Sequence, residues 1–192
     1  MGHDSTLKRV MGWNVTIADL TYAEIYDKGR FLEHGKPGNE RIVRLPEALA
    51  IVKTAPEFWL DFKHFKPEMA EQVLTEIKKA GIAQERLMVA TFTKPALAYF
   101  KRHHPEIRRV GHISVTSLSN GMWTCTAAPG QKFADRRALM DAVLRYRDEL
   151  NLFGVNMPVI KDQTRPEDIA YLQQNGLWVS LWFVQNESKA ET

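Results

Sequence analysis

"RLMVATFTKPALAYFKRHHPEIRRVGHISV" (residues 86–115) decides the fold. An apolar run over 86–92 is followed by Thr93, a residue whose side-chain oxygen can take up the free N–H groups of a helix start. The segment after it, "PALAYFKRHH", carries a helical mixture of apolar and basic residues and stops before Pro105, because a proline pushes its predecessor out of helical conformation. A second apolar, β-branched run, "RRVGHISV", then begins at Arg108. Strand, helix and strand in this order make a parallel βαβ unit, since parallel neighbours need a crossover connection between them.

The same alternation extends outward on both sides. "EFWLDF" (57–62) reads as a strand, followed by a helix from Pro67 with Met69, Val73 and Ile77 on one face and Gly81 as its stop. Downstream, "MWTCT" (122–126) reads as a weaker strand, and Asp135 opens a long helix through "RRALMDAVLRYRDEL". "FGVNMPV" (153–159) is a further strand, Thr164 caps "RPEDIAYLQQN", Gly176 ends that helix, and "LWVSLWFV" (177–184) closes the series. Six strands are expected in all, two short of a closed (β/α)8 barrel. No glycine-rich phosphate or dinucleotide fingerprint follows any of them, which weighs against an open nucleotide-binding sheet. Residues 1–55 differ, with a short helix in "ADLTYAEIYDKG", a loop in "FLEHGKPGNE", and a helix in "RIVRLPEALAIVKTAP" with Leu45, Leu49 and Val52 on one side. The reading is one α/β domain over 1–192, with an insertion and helical segment over 1–55 and βα repeats over 56–192.

Composition narrows the function classes. A 192-residue chain with 44% hydrophobic and 26% charged residues is long enough for a sizeable core. No apolar stretch approaches the ~18–20 residues of a membrane span, and the first ten residues hold no apolar leader region, which points to the cytoplasm. Cys125, the single cysteine, excludes an internal disulfide and reads as a small buried residue. The densest basic run, "FKRHHPEIRR" (100–109), lacks interleaved aromatics or a recognition motif, so it reads as a solvated helix end and not as a nucleic-acid surface.

Several segments in order resemble the glycerophosphodiester phosphodiesterase family. "GHDSTLKRVMGWNVTIADLTYAEI" is similar to the stretch after that family's second strand, where a His-Asp precedes a "LxR" and a "dlTxxE". "RLPEALAIV" resembles its "PTLEEvL" helix, "FWLDFKHF" its "l-E-I-K" third strand, "MVATFTKPAL" its "isSFd..aL" fourth strand, and "GLWVSLWFVQN" its closing "GL.V.vWTvN" strand. The resemblance implies a (β/α)8 barrel of the TIM type, with about six of eight strands here and the family's first two strands absent. It implies metal-dependent hydrolysis of a glycerophosphodiester to glycerol 3-phosphate and an alcohol. The alternative is a non-catalytic truncated homologue that binds a phosphorylated ligand or acts as an interaction module. The implied partner is a small-molecule glycerophosphodiester, with self-association through open barrel edges as a further expectation.

By position, His3 matches the family's second catalytic histidine, although a histidine so near a terminus is also an ordinary surface residue. Asp61 falls where the family has a metal-binding glutamate, one methylene longer. Lys63 lies two residues on, and strand alternation puts both on one face, as a metal-and-phosphate pair or as a salt bridge. Trp182 matches a tryptophan that would pack on the glycerol, or is a core aromatic. Thr91, Phe183 and Gln185 depart from the family pattern at the expected pocket rim. The implied cofactor is Mg²⁺ or Ca²⁺, held weakly, since two of the three family carboxylates have no counterpart here.

Overall fold

A computed structural model describes residues 5–160 and 163–182. They fall into two compact units, one of residues up to Ala55 with Gln72–Ile82, the other of Pro56–Glu71 with residues from Ala83 on.

The first unit is built from short elements. Helices α1 (Lys8–Met11) and α2 (Tyr22–Lys28) bury Met11 and Ile25 together with Leu7 and Ile42. Thr21 starts α2 through a capping box: its hydroxyl accepts from the Glu24 N–H while Glu24 accepts from the Thr21 N–H. Two-residue strands β1 (Leu32–Glu33) and β2 (Lys36–Pro37) form a hairpin within the expected loop. Its turn residues His34 and Gly35 both take positive φ, 52° and 79°, as the tightest hairpin turns require. Helix α3 (Leu45–Val52) follows, with Pro46 in its first turn and Leu49 buried.

The second unit is the βα series. Strand β3 (Phe58–Asp61) leads to helix α4 (Pro67–Lys79), whose residues from Gln72 on belong to the first unit, then to β4 (Leu87–Thr91), α5 (Lys94–His103) and β5 (Arg108–His112). A hairpin of β6 (Val115–Ser117) and β7 (Trp123–Cys125) intervenes, then α6 (Arg136–Leu150), β8 (Gly154–Pro158), α7 (Pro166–Gln174) and β9 (Trp178–Trp182). The main sheet has five strands in the order β3-β4-β5-β8-β9, every pair parallel. The expected "MWTCT" strand exists, but it pairs antiparallel with β6 outside this sheet. Most helix boundaries follow the sequence signals, although Thr93, at the cap position of α5, makes no side-chain capping bond. Asp135 accepts from the N–H groups of Arg137 and Ala138 at the start of α6, whereas α7 has Arg165, not Thr164, at its cap position.

Alternation divides the side chains of each strand between two faces. The outer face packs on helices: Val155 and Met157 of β8 join Leu139, Val143 and Leu150 of α6 in the main core, while Phe62 meets Phe100 of α5 at 5.6 Å between ring centroids. The inner face is read from the register. Asp61 pairs with Ala90, Ala90 with Val110, Val110 with Gly154, and Gly154 with Trp178, so these five make one row. His112, Asn156 and Ser180 make the next row toward the C-terminal strand ends.

The sheet is strongly curled. Five strands laid flat would hold their outer members about 19 Å apart, yet the rings of Trp59 on β3 and Trp178 on β9 lie with centroids 5.7 Å apart. Gly154 makes room for this closure: a Cβ there would lie 2.5 Å from Trp178 Cε3 and 2.6 Å from its carbonyl oxygen. Because one of those atoms is backbone, a rotamer change does not relieve the clash. Gly154→Ala is expected to cost roughly 1–3 kcal/mol as overpacking, read as a lower thermal midpoint; an unchanged midpoint would show that the sheet relaxes freely at this point.

Candidate active site

Asp61 ends β3 on the inner face, and Lys63 follows on the same side, as alternation requires. Lys63 Nζ lies 2.6 Å from Asp61 Oδ2, with side chains 29% and 40% exposed respectively. The expected pairing therefore forms, and it is reachable from solvent. The other oxygen, Oδ1, faces His112 Nε2 at 3.5 Å. That is beyond the usual N–H···O range, and Nε2 has no hydrogen-bond partner among the described residues although the imidazole is only 6% exposed.

The His112 ring is fixed from behind. Asn156 Nδ2 lies 3.0 Å from His112 Nδ1, and the Ser180 hydroxyl donates to Asn156 Oδ1 at 2.7 Å. With Oδ1 occupied by the hydroxyl, the amide directs an N–H at Nδ1, so Nδ1 accepts and the ring proton sits on Nε2. The chain Ser180–Asn156–His112 thus presents an N–H toward Asp61. Phe92, just after β4, packs on the imidazole at 4.8 Å and meets Trp182 edge-on at 6.2 Å. Asp61, Phe92, His112 and Trp182 sit at the C-terminal ends of parallel strands, the face on which barrel enzymes carry their chemistry, with Asn156 and Ser180 behind them at mid-strand.

The electrostatics of Asp61 follow from these neighbours. Partial burial works to raise its carboxyl, but the His112 and Lys63 groups outweigh burial and hold it below the ordinary value. A carboxyl held low by folding stabilises the chain above its unfolded value of about 3.9, and that contribution disappears as pH falls through the folded value. Between about pH 6 and pH 3, the thermal midpoint is expected to drop less steeply in Asp61→Asn than in the parent. Parallel slopes would mean that the pair contributes nothing to folding.

The sequence-derived residues fare unequally. Asp61 and Lys63 are brought together; Trp182 lies on the same inner face, at the end of β9, 37% exposed and so not a core residue. His3, Phe183 and Gln185 lie outside the described residues. Thr91, expected at the pocket rim, is fully buried on the outer face, where its hydroxyl donates to the Phe62 carbonyl at 2.8 Å. The basic run is not wholly solvated either: Arg109 is 3% exposed. Cys125 is a buried free thiol, pushed up in pKa by that burial. Sequence reasoning missed His112, Asn156 and Ser180. The available signal was a polar residue at an inward position in each of three strands, β5, β8 and β9.

No protein-family model matches the sequence, and comparison with curated proteins finds no match. Solved structures do match. A protein from Silicibacter pomeroyi DSS-3 assigned as a glycerophosphoryl diester phosphodiesterase superposes with a TM-score of 0.67 at 18% identity, covering 96% of this chain and 68% of its own. A similarly assigned protein from Galdieria sulphuraria gives 0.65 at 17%, covering 97% and 68%. The glycerophosphodiester phosphodiesterase from Agrobacterium tumefaciens str. C58 gives 0.63 at 14%, covering 96% and 68%. The chain has the α/β barrel fold of these glycerophosphodiester phosphodiesterase structures, spanning about two thirds of the length of each.

Proposed function

We propose that the chain acts on glycerophosphodiesters, hydrolysing them to glycerol 3-phosphate and an alcohol. The observation that supports this reading is Lys63 held by Asp61 at the C-terminal mouth of the inner face, where the fold places catalysis. Water adds at phosphorus, the bond to the alcohol oxygen breaks, and negative charge gathers on the remaining phosphoryl oxygens. An ammonium fixed beside those oxygens lowers the barrier because its charge is already in place. The attacking water must lose a proton and the leaving alcohol must gain one, work that the resemblance shares between two histidines, of which His3 matches the second. Trp182 and Phe92 offer an aromatic wall for the glycerol carbons.

The resemblance also implies a divalent cation. Magnesium and calcium want six or more oxygens, with several from carboxylates in a strong protein site. Among the described residues no group of three or more His, Cys, Asp or Glu side chains is placed to hold a metal. Asp61 is one carboxylate, already in contact with an ammonium. The described residues do not fit such a centre, and no step is assigned to one.

A second reading, a phospho-ligand-binding or interaction module without turnover, is favoured by the burial of His112 Nε2, which keeps that imidazole from a bound ester. Release of glycerol 3-phosphate from glycerophosphocholine and glycerophosphoethanolamine separates the two, measured with Mg²⁺ or Ca²⁺, with chelator, and beside His3→Ala. Turnover that His3→Ala abolishes is the expected result. A folded sample without turnover would leave the binding reading.

A further inference from the structure

We propose that Asp61 is a counter-ion and not a metal ligand, and that Lys63, held by it, takes a phosphoryl oxyanion at this site without a divalent cation. The class of ligand rests on the phosphodiester reading above; the role of Asp61 rests on geometry alone.

Both carboxylate oxygens already face donors, Oδ2 toward Lys63 at 2.6 Å and Oδ1 toward His112 at 3.5 Å. His112 is arranged as a ligating histidine would not be. A metal-bound imidazole turns a lone pair to the ion and gives its other N–H to a carbonyl or carboxylate. Here Nδ1 is the accepting nitrogen, met by the Asn156 amide whose oxygen is engaged by Ser180, so the nitrogen facing Asp61 carries the proton. The neighbours of Asp61 along its row are Ala90, Val110, Gly154 and Trp178, none able to supply an oxygen from a side chain. No other inward-facing residue of the five strands is an acid. One carboxylate facing an ammonium and an N–H is a device for holding a cation in place. Lys63 Nζ retains donors beyond the one aimed at Asp61, and at 29% exposure it can reach an arriving oxyanion.

The two roles predict opposite signs for one substitution. If Asp61 held a metal, Asp61→Asn would abolish anion binding with the metal. If it is a counter-ion, Asp61→Asn frees the ammonium from its competitor, and anion binding survives or tightens. The experiment is calorimetric titration of the chain with inorganic phosphate, in chelator and again in Mg²⁺ or Ca²⁺, for the parent, Lys63→Met and Asp61→Asn, each first shown to be folded by circular dichroism. Expected are equal affinities with and without cation, a loss of about tenfold or more in Lys63→Met, and a gain of up to about fivefold in Asp61→Asn, the range of a partly exposed ion pair. Titration with Ca²⁺ alone is expected to give no heat that Asp61→Asn removes. Cation-dependent phosphate binding that Asp61→Asn abolishes, or no phosphate binding by the parent, would overturn the proposal. Asp61→Ser serves in the same assay if Asp61→Asn fails to fold. Turnover plays no part in this readout, so the hydrolysis reading can fail while phosphate still binds, and the reverse.

Discussion

Lys63→Met is expected to lower glycerol 3-phosphate release by about 10²–10³-fold, the usual cost of removing one donor aimed at developing charge. Methionine keeps most of the aliphatic stem and loses the ammonium, so the change isolates charge from packing. The side chain is 29% exposed and ion-paired with a half-exposed carboxylate, so the variant should lose no more than about 1 kcal/mol of stability. An ammonium that acts mainly in the transition state shows its loss in kcat; one that acts equally on bound substrate shows it in KM. Lys63→Arg retains a charge with a different reach and should recover part of the rate. A drop of less than about tenfold in kcat/KM would remove Lys63 from the phosphoryl group and leave the proposed function without its supporting observation.

Arg109→Met is expected to be the most damaging single change to folding. Arg109 lies at the opposite end of β5 from His112, on the outer face, 3% exposed. Its Nη1 donates to the carbonyls of Ile107 at 2.7 Å and Pro105 at 3.2 Å, with His104 at 3.5 Å, and its Nη2 donates to Asn151 at 3.0 Å. His104 and Asn151 are the C-caps of α5 and α6. One guanidinium therefore satisfies the carbonyl ends of two helices, where a cation is also favoured by the helix dipoles. Burial pushes the guanidinium pKa down while Glu106 pushes it back up, and so high a starting value leaves the group charged. Methionine fills similar space and removes the guanidinium donors from these carbonyls, of which His104 keeps the Ile107 N–H at 3.1 Å. The cost is put at roughly 3–5 kcal/mol, or a thermal midpoint lower by roughly 6–20 °C for a chain of this size. Arg109→Lys, a cation without the planar fork, should fall between the two. A midpoint within about 2 °C of the parent would show that water replaces the guanidinium at these carbonyls.

The parallel series was legible because its punctuation is local. Thr93 and Pro105 bracket α5, Asp135 starts α6, and Gly81 and Gly176 take the positive φ that ends a helix, 71° and 74°. "MWTCT" went into the wrong sheet because only five residues separate β6 from β7, too few for the crossover that a parallel neighbour needs. Asp61 was found through its match to the family's third-strand motif, and Lys63 because it lies two residues beyond the end of β3, where alternation puts both on one side. The row of His112, Asn156 and Ser180 crosses three strands, and its alignment is set by register, which no single strand encodes. The same parity argument, applied one residue along, shows why Thr91 is structural: Ala90 faces inward, so its neighbour faces the helices. Arg109 was hidden inside a run of basic residues whose composition suggests solvent, although its strand position between Ile107 and Val110 marks it for burial.

The contact between Trp59 and Trp178 has an optical side. Two indoles with centroids 5.7 Å apart at an interplanar angle of 57° are neither parallel nor perpendicular, so their electronic transitions couple and the pair is chiral as a unit. Because the two rings stand on the outermost strands of the sheet, the strength of that coupling depends on how tightly the sheet is rolled. The curvature that brings Asp61 and the His112 row to one mouth is thereby written into the molecule's own absorption of polarised light, with no label added.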